Sequence, residues 1–224
     1  MARGTGTVRE RIRAAIQMAF FALLIKPFMR LIMGIHVQGR HHLPETQCIL
    51  VANHSSHLDT LVLMSLFPLR HVIRLRPVAA ADYWTRSRVI YALTQSLFHI
   101  LPIPRTGITP ENHPLKRMEQ ALNDGDWLII YPEGTRAYGE TLGPFKSGVA
   151  HLVRRYPELP VIPVYIRNTA RILPRGQVLL VPFFVDVAIG PPLTFEPGTP
   201  KERILQTLRD AVESLGRSLE VASA

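Results

Sequence analysis

Residues 48–67 read CILVANHSSHLDTLVLMSLF. Cys48 to Ala52 form a short, unbroken apolar run with β-branched members, the pattern of a β-strand. A polar bend, Asn53-His54-Ser55-Ser56, interrupts it, and 57–67 then carry a helical pattern. Strand, bend and helix together make the building unit of an α/β sheet.

The same alternation continues along the chain. CILVA (48–52), HVIRLRPVA (71–79), FHILPI (98–103), WLIIY (127–131), VIPVYI (161–166) and VLLVPFFVDVAI (178–189) read as strands bounded by turn residues. Helices are expected near 57–67, 82–97, 114–123, 146–155 and 200–215. The last has its own start signal, with Thr199 as N-cap, Pro200 first in the helix, Glu202 completing a T-x-x-E box, and Gly216 as a stop. A chain of 224 residues without repeats or a long linker fits one core. The expectation is a single α/β domain over 36–224, a mixed sheet flanked by helices.

Residues 1–35 differ. AAIQMAFFALLI (14–25) is nearly apolar, with Arg9, Arg11 and Arg13 before it and Lys26-Pro27 after it. Twelve helical residues reach ~18 Å, short of a ~30 Å hydrocarbon core. The pattern continues at 27, 28, 31, 32 and 35, so two short helices are expected, the second opened by Pro27. Flanking bases favour a segment lying in the membrane interface, and a helix packed on the core is the alternative.

Lys and Arg number 26 against 17 Asp and Glu, a net charge of +9 that calls for anionic partners. No continuous basic block, RNP-like aromatic motif or zinc-finger spacing accompanies it, which disfavours nucleic acid. Cys48 is the only cysteine, which excludes an internal disulfide and a CxxC site.

His54 and Asp59 would point ~140° apart on one continuous helix. Their meeting requires His54 to precede the helix, so that the bend turns it towards the carboxylate. A carboxylate on one imidazole nitrogen fixes the tautomer and lets the other nitrogen act as a general base, although a His/Asp pair on a polar turn also fits a structural role. No G-x-S-x-G elbow supplies a nucleophilic serine, so the proton would come from a substrate hydroxyl. His54 and His57 have no distant Cys/His partners in the sequence, so no metal is expected.

A second segment, YPEGTR (131–136), follows the buried strand at 127–131 and leads through Pro144-Phe145-Lys146-Ser147-Gly148 into a helix. Gly134 permits close backbone approach, Thr135 offers a hydroxyl, and Arg136 can grip a phosphate. Arg105 likewise follows a strand. Glu133 either pairs with Arg136 or contacts substrate. Lys146 and Arg167 read as solvated or membrane-facing.

Taken together, N-H-x-x-x-x-D (Asn53, His54, Asp59), Ile103-Pro104-Arg105, Y-P-E-G-T-R (Tyr131 to Arg136) and Val161-Ile-Pro-Val164 resemble the glycerolipid acyltransferase family whose bacterial type member acylates 1-acylglycerol 3-phosphate. The resemblance covers about residues 48–170. It implies an O-acyltransferase in which His54, oriented by Asp59, deprotonates the hydroxyl of a lysolipid. The acyl donor would be acyl-CoA or acyl carrier protein, with no resident cofactor. Arg105, Glu133, Gly134, Thr135 and Arg136 would hold the acceptor's phosphate, at the cytoplasmic face of a membrane. Another lysolipid, such as a lyso-ornithine lipid, or a thioester or lipid hydrolase activity, is the competing expectation.

Overall fold

The computed structural model describes residues 7–31, 33–84, 87–136, 142–172 and 184–221. Helix α1 (Val8–Phe20) passes through a π-helical turn, Phe21–Ile25, into α2 (Lys26–Leu31). Then follow β1 (Ile35–Gln38), a 3-10 turn, β2 (Ile49–Ala52), α3 (Leu58–Leu66), α4 (Leu69–Val72) and β3 (Leu75–Ala80). The chain continues through α5 (Ala81–Trp84), α6 (Arg88–Phe98), β4 (Leu101–Ile103), α7 (Pro114–Asn123), β5 (Trp127–Ile130) and α8 (Gly148–Arg155). It closes with β6 (Val161–Arg167), α9 (Thr169–Ile172), β7 (Val185–Ile189) and α10 (Lys201–Val221).

The seven strands form one sheet in the order β1-β7-β6-β2-β5-β3-β4. All neighbours are parallel except β6 and β7, so the sheet is mixed, as expected. Its central strands are buried on both faces, which explains their continuous apolar runs. Leu50, Ile129 and Ile162 pack with Val62, Leu63 and Phe67 of the α3 region on one face. Ile49, Leu128 and Val161 pack with helices α7, α8 and α10 on the other.

Several local expectations are corrected. β1 was not expected; its four residues alternate half-buried and exposed, leaving little apolar signal. His71 and Val72 belong to α4, and Phe98 ends α6. Thr199 does not cap α10: its hydroxyl donates to the carbonyl of Glu196 at 2.6 Å, and the first helical bond runs from Ile204 N–H to Pro200 O. Gly216 does not stop α10 either. A Cβ there would lie 2.9 Å from the Tyr165 ring, so the glycine is a close-packing position between helix and sheet. Residues 178–183 of the last expected strand lie outside the described residues.

The largest difference is at the amino terminus. Residues 8–31 make one helix of 24 residues, not two short ones. Pro27 has no N–H to donate and crowds the preceding turn. The π-turn just before it absorbs the conflict, with the Lys26 N–H bonding back to Phe21 O. A reciprocal capping box, Thr7 hydroxyl to Glu10 N–H and Glu10 carboxylate to Thr7 N–H, starts the helix. At ~1.5 Å per residue it reaches ~36 Å, so the length limit argued for twelve residues does not apply.

One side of this helix packs on the domain. Phe21 is fully buried and meets Phe20 and Phe98 edge to face. Lys26 donates from Nζ to the carbonyls of Ser65 and Phe67 at 2.9 and 2.7 Å, satisfying the end of α3. Phe21→Ala should therefore lower folding stability by ~3–5 kcal/mol, as read by chemical denaturation. A loss below ~1 kcal/mol would show that the helix is not docked on the core.

Candidate active site

Strands β6, β2, β5, β3 and β4 run parallel, so their carboxyl ends open on one edge of the sheet. Four of the five send polar residues to that edge: Thr169 after β6, His54 after β2, Tyr131 to Arg136 after β5, and Arg105 after β4. Residues far apart in sequence meet there because strand order, not chain order, decides their neighbours.

Asn53 makes the exit from β2 possible. Its amide donates from Nδ2 to Ile166 O at 2.8 Å and accepts on Oδ1 from Ile166 N–H at 2.7 Å. The side chain thus continues the pairing to β6 where the β2 backbone bends away. The bend places His54 ahead of α3, whose first turn contains Asp59. His54 Nδ1 lies 2.9 Å from Asp59 Oδ2, the meeting that the bend was expected to permit.

Asp59 is fully buried. Its Oδ2 also accepts the N–H groups of Ser55 and Ser56 at 2.8 and 2.9 Å, while Oδ1 accepts the hydroxyl of Thr169. Every one of these neighbours is a donor, so His54 must present Nδ1–H to the carboxylate and keep its lone pair on Nε2. The imidazole also lies flat on Tyr131, with centroids 4.1 Å apart and planes at 19°. The Tyr131 hydroxyl is held by Thr60 at 2.9 Å, and burial keeps its phenol protonated far into alkali.

Glu133 is turned inward. Its Oε1 accepts the His54 N–H and its Oε2 the Gly143 N–H, both at 2.8 Å. Burial pushes its carboxyl above the usual range, opposed by those two backbone donors. Through these backbone donors the carboxylate clamps the two loops together. Arg209 of α10 supports the second loop by donating to Gly143 O at 2.7 Å.

Gly134 has φ +71°, and a Cβ there would meet the Lys146 side chain at 2.7 Å. The glycine therefore allows both the turn and the close approach of an ammonium group. Arg105, exposed, donates to Gly134 O at 2.6 Å, which joins it to the same turn. Thr135 is exposed and Arg136 partly so. Arg136, Arg105 and Lys146 form a cationic rim around the Gly134 turn, with the Thr135 hydroxyl among them. His57 is partly buried, and burial with the nearby Arg136 charge pushes its pKa down to about 4. It is a neutral neighbour of the pair near pH 7.

Arg167 is corrected: it is neither solvated nor membrane-facing. Its guanidinium pairs with Asp186 at 2.8 Å across the antiparallel β6 and β7, and is only 12% exposed. Among the described residues no group of three His, Cys, Asp or Glu side chains is arranged to hold a metal ion. Thr169 was missed altogether. It lies 110 residues from Asp59, in a stretch without a marked pattern, and only its place after a parallel strand would have singled it out.

Comparison with known proteins agrees with this architecture. The Acyltransferase family profile matches residues 34–167. The chloroplastic 1-acyl-sn-glycerol-3-phosphate acyltransferase BAT2 of Brassica napus is 28% identical over 171 residues, 75% of this chain and 46% of that protein. The mouse 1-acyl-sn-glycerol-3-phosphate acyltransferase alpha is 30% identical over 182 residues, 80% of this chain and 60% of its own. The Pseudomonas aeruginosa 1-acyl-sn-glycerol-3-phosphate acyltransferase is 27% identical over 176 residues, covering 77% and 65%. The chain thus spans about half of the plant relative's length.

The crystal structure of the 1-acyl-sn-glycerophosphate acyltransferase PlsC from Thermotoga maritima superposes with a TM-score of 0.72, covering 95% of this chain and 83% of that one. At 18% identity it bears on the fold alone. The profile match, by contrast, runs through Asn53, His54, Asp59 and the whole 131–136 turn and takes in more than half of the sequence: the chain belongs to the Acyltransferase family.

Proposed function

We propose that this protein transfers a fatty acyl group from the thioester of acyl-CoA or acyl carrier protein to the free hydroxyl of 1-acylglycerol 3-phosphate, forming phosphatidic acid. The observation that carries the chemistry is the His54–Asp59 pair, with Nδ1 engaged by the buried carboxylate and Nε2 left to act as base. Nε2 takes the acceptor's hydroxyl proton as the oxygen attacks the thioester carbonyl. The new C–O bond forms, the C–S bond breaks, and the imidazolium returns the proton to the departing thiolate. No covalent acyl-enzyme and no resident cofactor enter this sequence.

The cationic rim supports a phosphate-bearing acceptor. Arg136 and Lys146 lie around the Gly134 turn, and Arg105 is tied to its carbonyl. A guanidinium engages phosphate oxygens in pairs, whereas an ammonium adds charge alone. Gly134 and Thr135 bring backbone and hydroxyl to the same place. Glu133 acts indirectly, by holding the His54 backbone against the rim. The names of the relatives point to the same acceptor, 1-acylglycerol 3-phosphate.

A lysolipid acceptor resides in a membrane, and the amino-terminal helix fits that location. Opposite its docked side, Leu23 and Leu31 are about 80% exposed. Exposed Val89, Ile90 and Leu93 add apolar surface on α6, which packs against α1. Arg9, Arg11 and Arg13 can meet anionic headgroups. The protein would work at the cytoplasmic face, with the net charge of +9 favouring acidic lipid, CoA phosphates and carrier protein alike.

In an assay with labelled acyl-CoA and a panel of lysolipids, wild-type protein should acylate lysophosphatidate in preference to lyso-ornithine lipid. His54→Ala should lose about a thousandfold in rate. Free fatty acid released without dependence on acceptor would instead establish a hydrolase. Arg136→Ala should raise KM for lysophosphatidate roughly tenfold or more with the donor KM little changed. Equal changes in both would refute the phosphate assignment. The combined variant Leu23→Asp, Leu24→Asp, Leu31→Asp should stop floating with anionic vesicles, and a variant that still floats would rule out this surface.

A further inference from the structure

We infer that Thr169 is a positioning residue for the His54–Asp59 pair, the middle member of a directed chain of hydroxyls that runs from Ser55 through Thr169 to Asp59. The inference rests on the general-base reading of His54.

Geometry gives the direction of the chain. The Asp59 carboxylate can only accept, so the bond from Thr169 Oγ1 to Asp59 Oδ1 uses the threonine's single hydroxyl proton. The second contact of Thr169 Oγ1, with Ser55 Oγ at 2.9 Å, must then be donated by the serine. Thr169 is fully buried and Ser55 nearly so, which leaves water little access to replace either bond. The threonine stands two residues beyond the end of β6, and β6 is itself held to the turn by Asn53. Position along β6 is thereby transmitted to the oxygen of Asp59 that does not face the imidazole.

Three donors already crowd Oδ2: the His54 ring and the Ser55 and Ser56 amides. With Oδ2 so fixed, the remaining freedom of the carboxylate is rotation of Oδ1, and Thr169 is what stops it. Among the described residues, the titratable groups facing the pair are His57, Tyr131, Glu133 and Arg136, on the α3 and β5 sides. From the β6 side, the donor to Asp59 is the neutral hydroxyl of Thr169. It steadies the carboxylate without cancelling the charge that an imidazolium at His54 needs.

The test compares the steady-state kinetics of Thr169→Val with those of Thr169→Ser, with acyl donor and lysophosphatidate each varied in turn. Thr169→Val keeps the shape and deletes the hydroxyl. We expect kcat to fall roughly tenfold or more, the scale of one hydrogen bond to a charged group, with both KM values within about twofold of wild type. The acidic limb of the kcat/KM profile, where activity rises as the imidazolium loses its proton, should move to higher pH, because an Asp59 stripped of a donor holds an imidazolium more strongly. Thr169→Ser should restore most of kcat and return the limb. Equal impairment of the two variants, or wild-type kcat and pH profile in Thr169→Val, would overturn the assignment. If Thr169→Val does not fold, Ser55→Ala decides: a several-fold fall in kcat at constant KM supports the chain, and an unchanged kcat refutes it. His54→Ala assayed in parallel separates the two levels. Full activity there removes the general-base reading, whereas an inactive His54→Ala beside an unaffected Thr169→Val removes only Thr169.

Discussion

A carboxylate shut away from water has to be met by donors, and Asp59 at the strand ends is such a carboxylate. Its partners come from three places: the imidazole of His54, the amides of Ser55 and Ser56 at the turn, and the hydroxyl of Thr169 beyond β6. None of these groups can leave without stranding buried charge, so the turn after β2, the first turn of α3 and the end of β6 are bound to one geometry. The orientation of His54 follows from that requirement. Its ring has a carboxylate on one nitrogen and Tyr131 against its face, which leaves one nitrogen and one plane for chemistry.

Around this centre the protein uses side chains where backbone pairing runs out. Asn53 continues the β2 to β6 pairing after the strand has turned, and Glu133 caps the His54 amide from the neighbouring strand's loop. Both are buried polar groups whose hydrogen-bonding capacity is taken up by backbone. Exposure divides the site: the groups that hold the histidine are buried, and the guanidinium groups of Arg105 and Arg136 lie at the rim. At the far end of α3, Lys26 satisfies the carbonyls that helix termination leaves open. The helix carrying Asp59 is thus fixed at its start by the site and at its end by the amino-terminal segment.

Much of this was legible in the chain. The buried strands announce themselves because a strand covered on both faces must be apolar at successive positions, as ILVA, WLII and VIPVYI are. The bend at Asn53 to Ser56 and the separation of His54 from Asp59 allow only an arrangement in which the histidine precedes the helix. Other features escaped for identifiable reasons. β1 is an edge strand with an alternating, weakly apolar pattern. Thr199 and Gly216 fit local rules for helix ends, but α10 follows tertiary contacts, above all the Tyr165 ring that leaves space only for a glycine. The amino-terminal helix looked broken at Pro27 because proline rules describe a regular α-helix, and a π-turn evades them.

The sequence by itself determined the α/β class, the family and His54, Asp59 and the 131–136 turn as candidate site residues, since apolar periodicity and motif spacing are local properties written directly in the chain. Only the tertiary structure added Thr169 and decided which residues touch. Thr169 reaches Asp59, Glu133 reaches the backbone of His54 and Arg105 reaches the Gly134 turn because β6, β2, β5, β3 and β4 lie side by side with their carboxyl ends together. Strand order depends on how whole elements bury their apolar faces against one another, a collective balance that no short segment encodes.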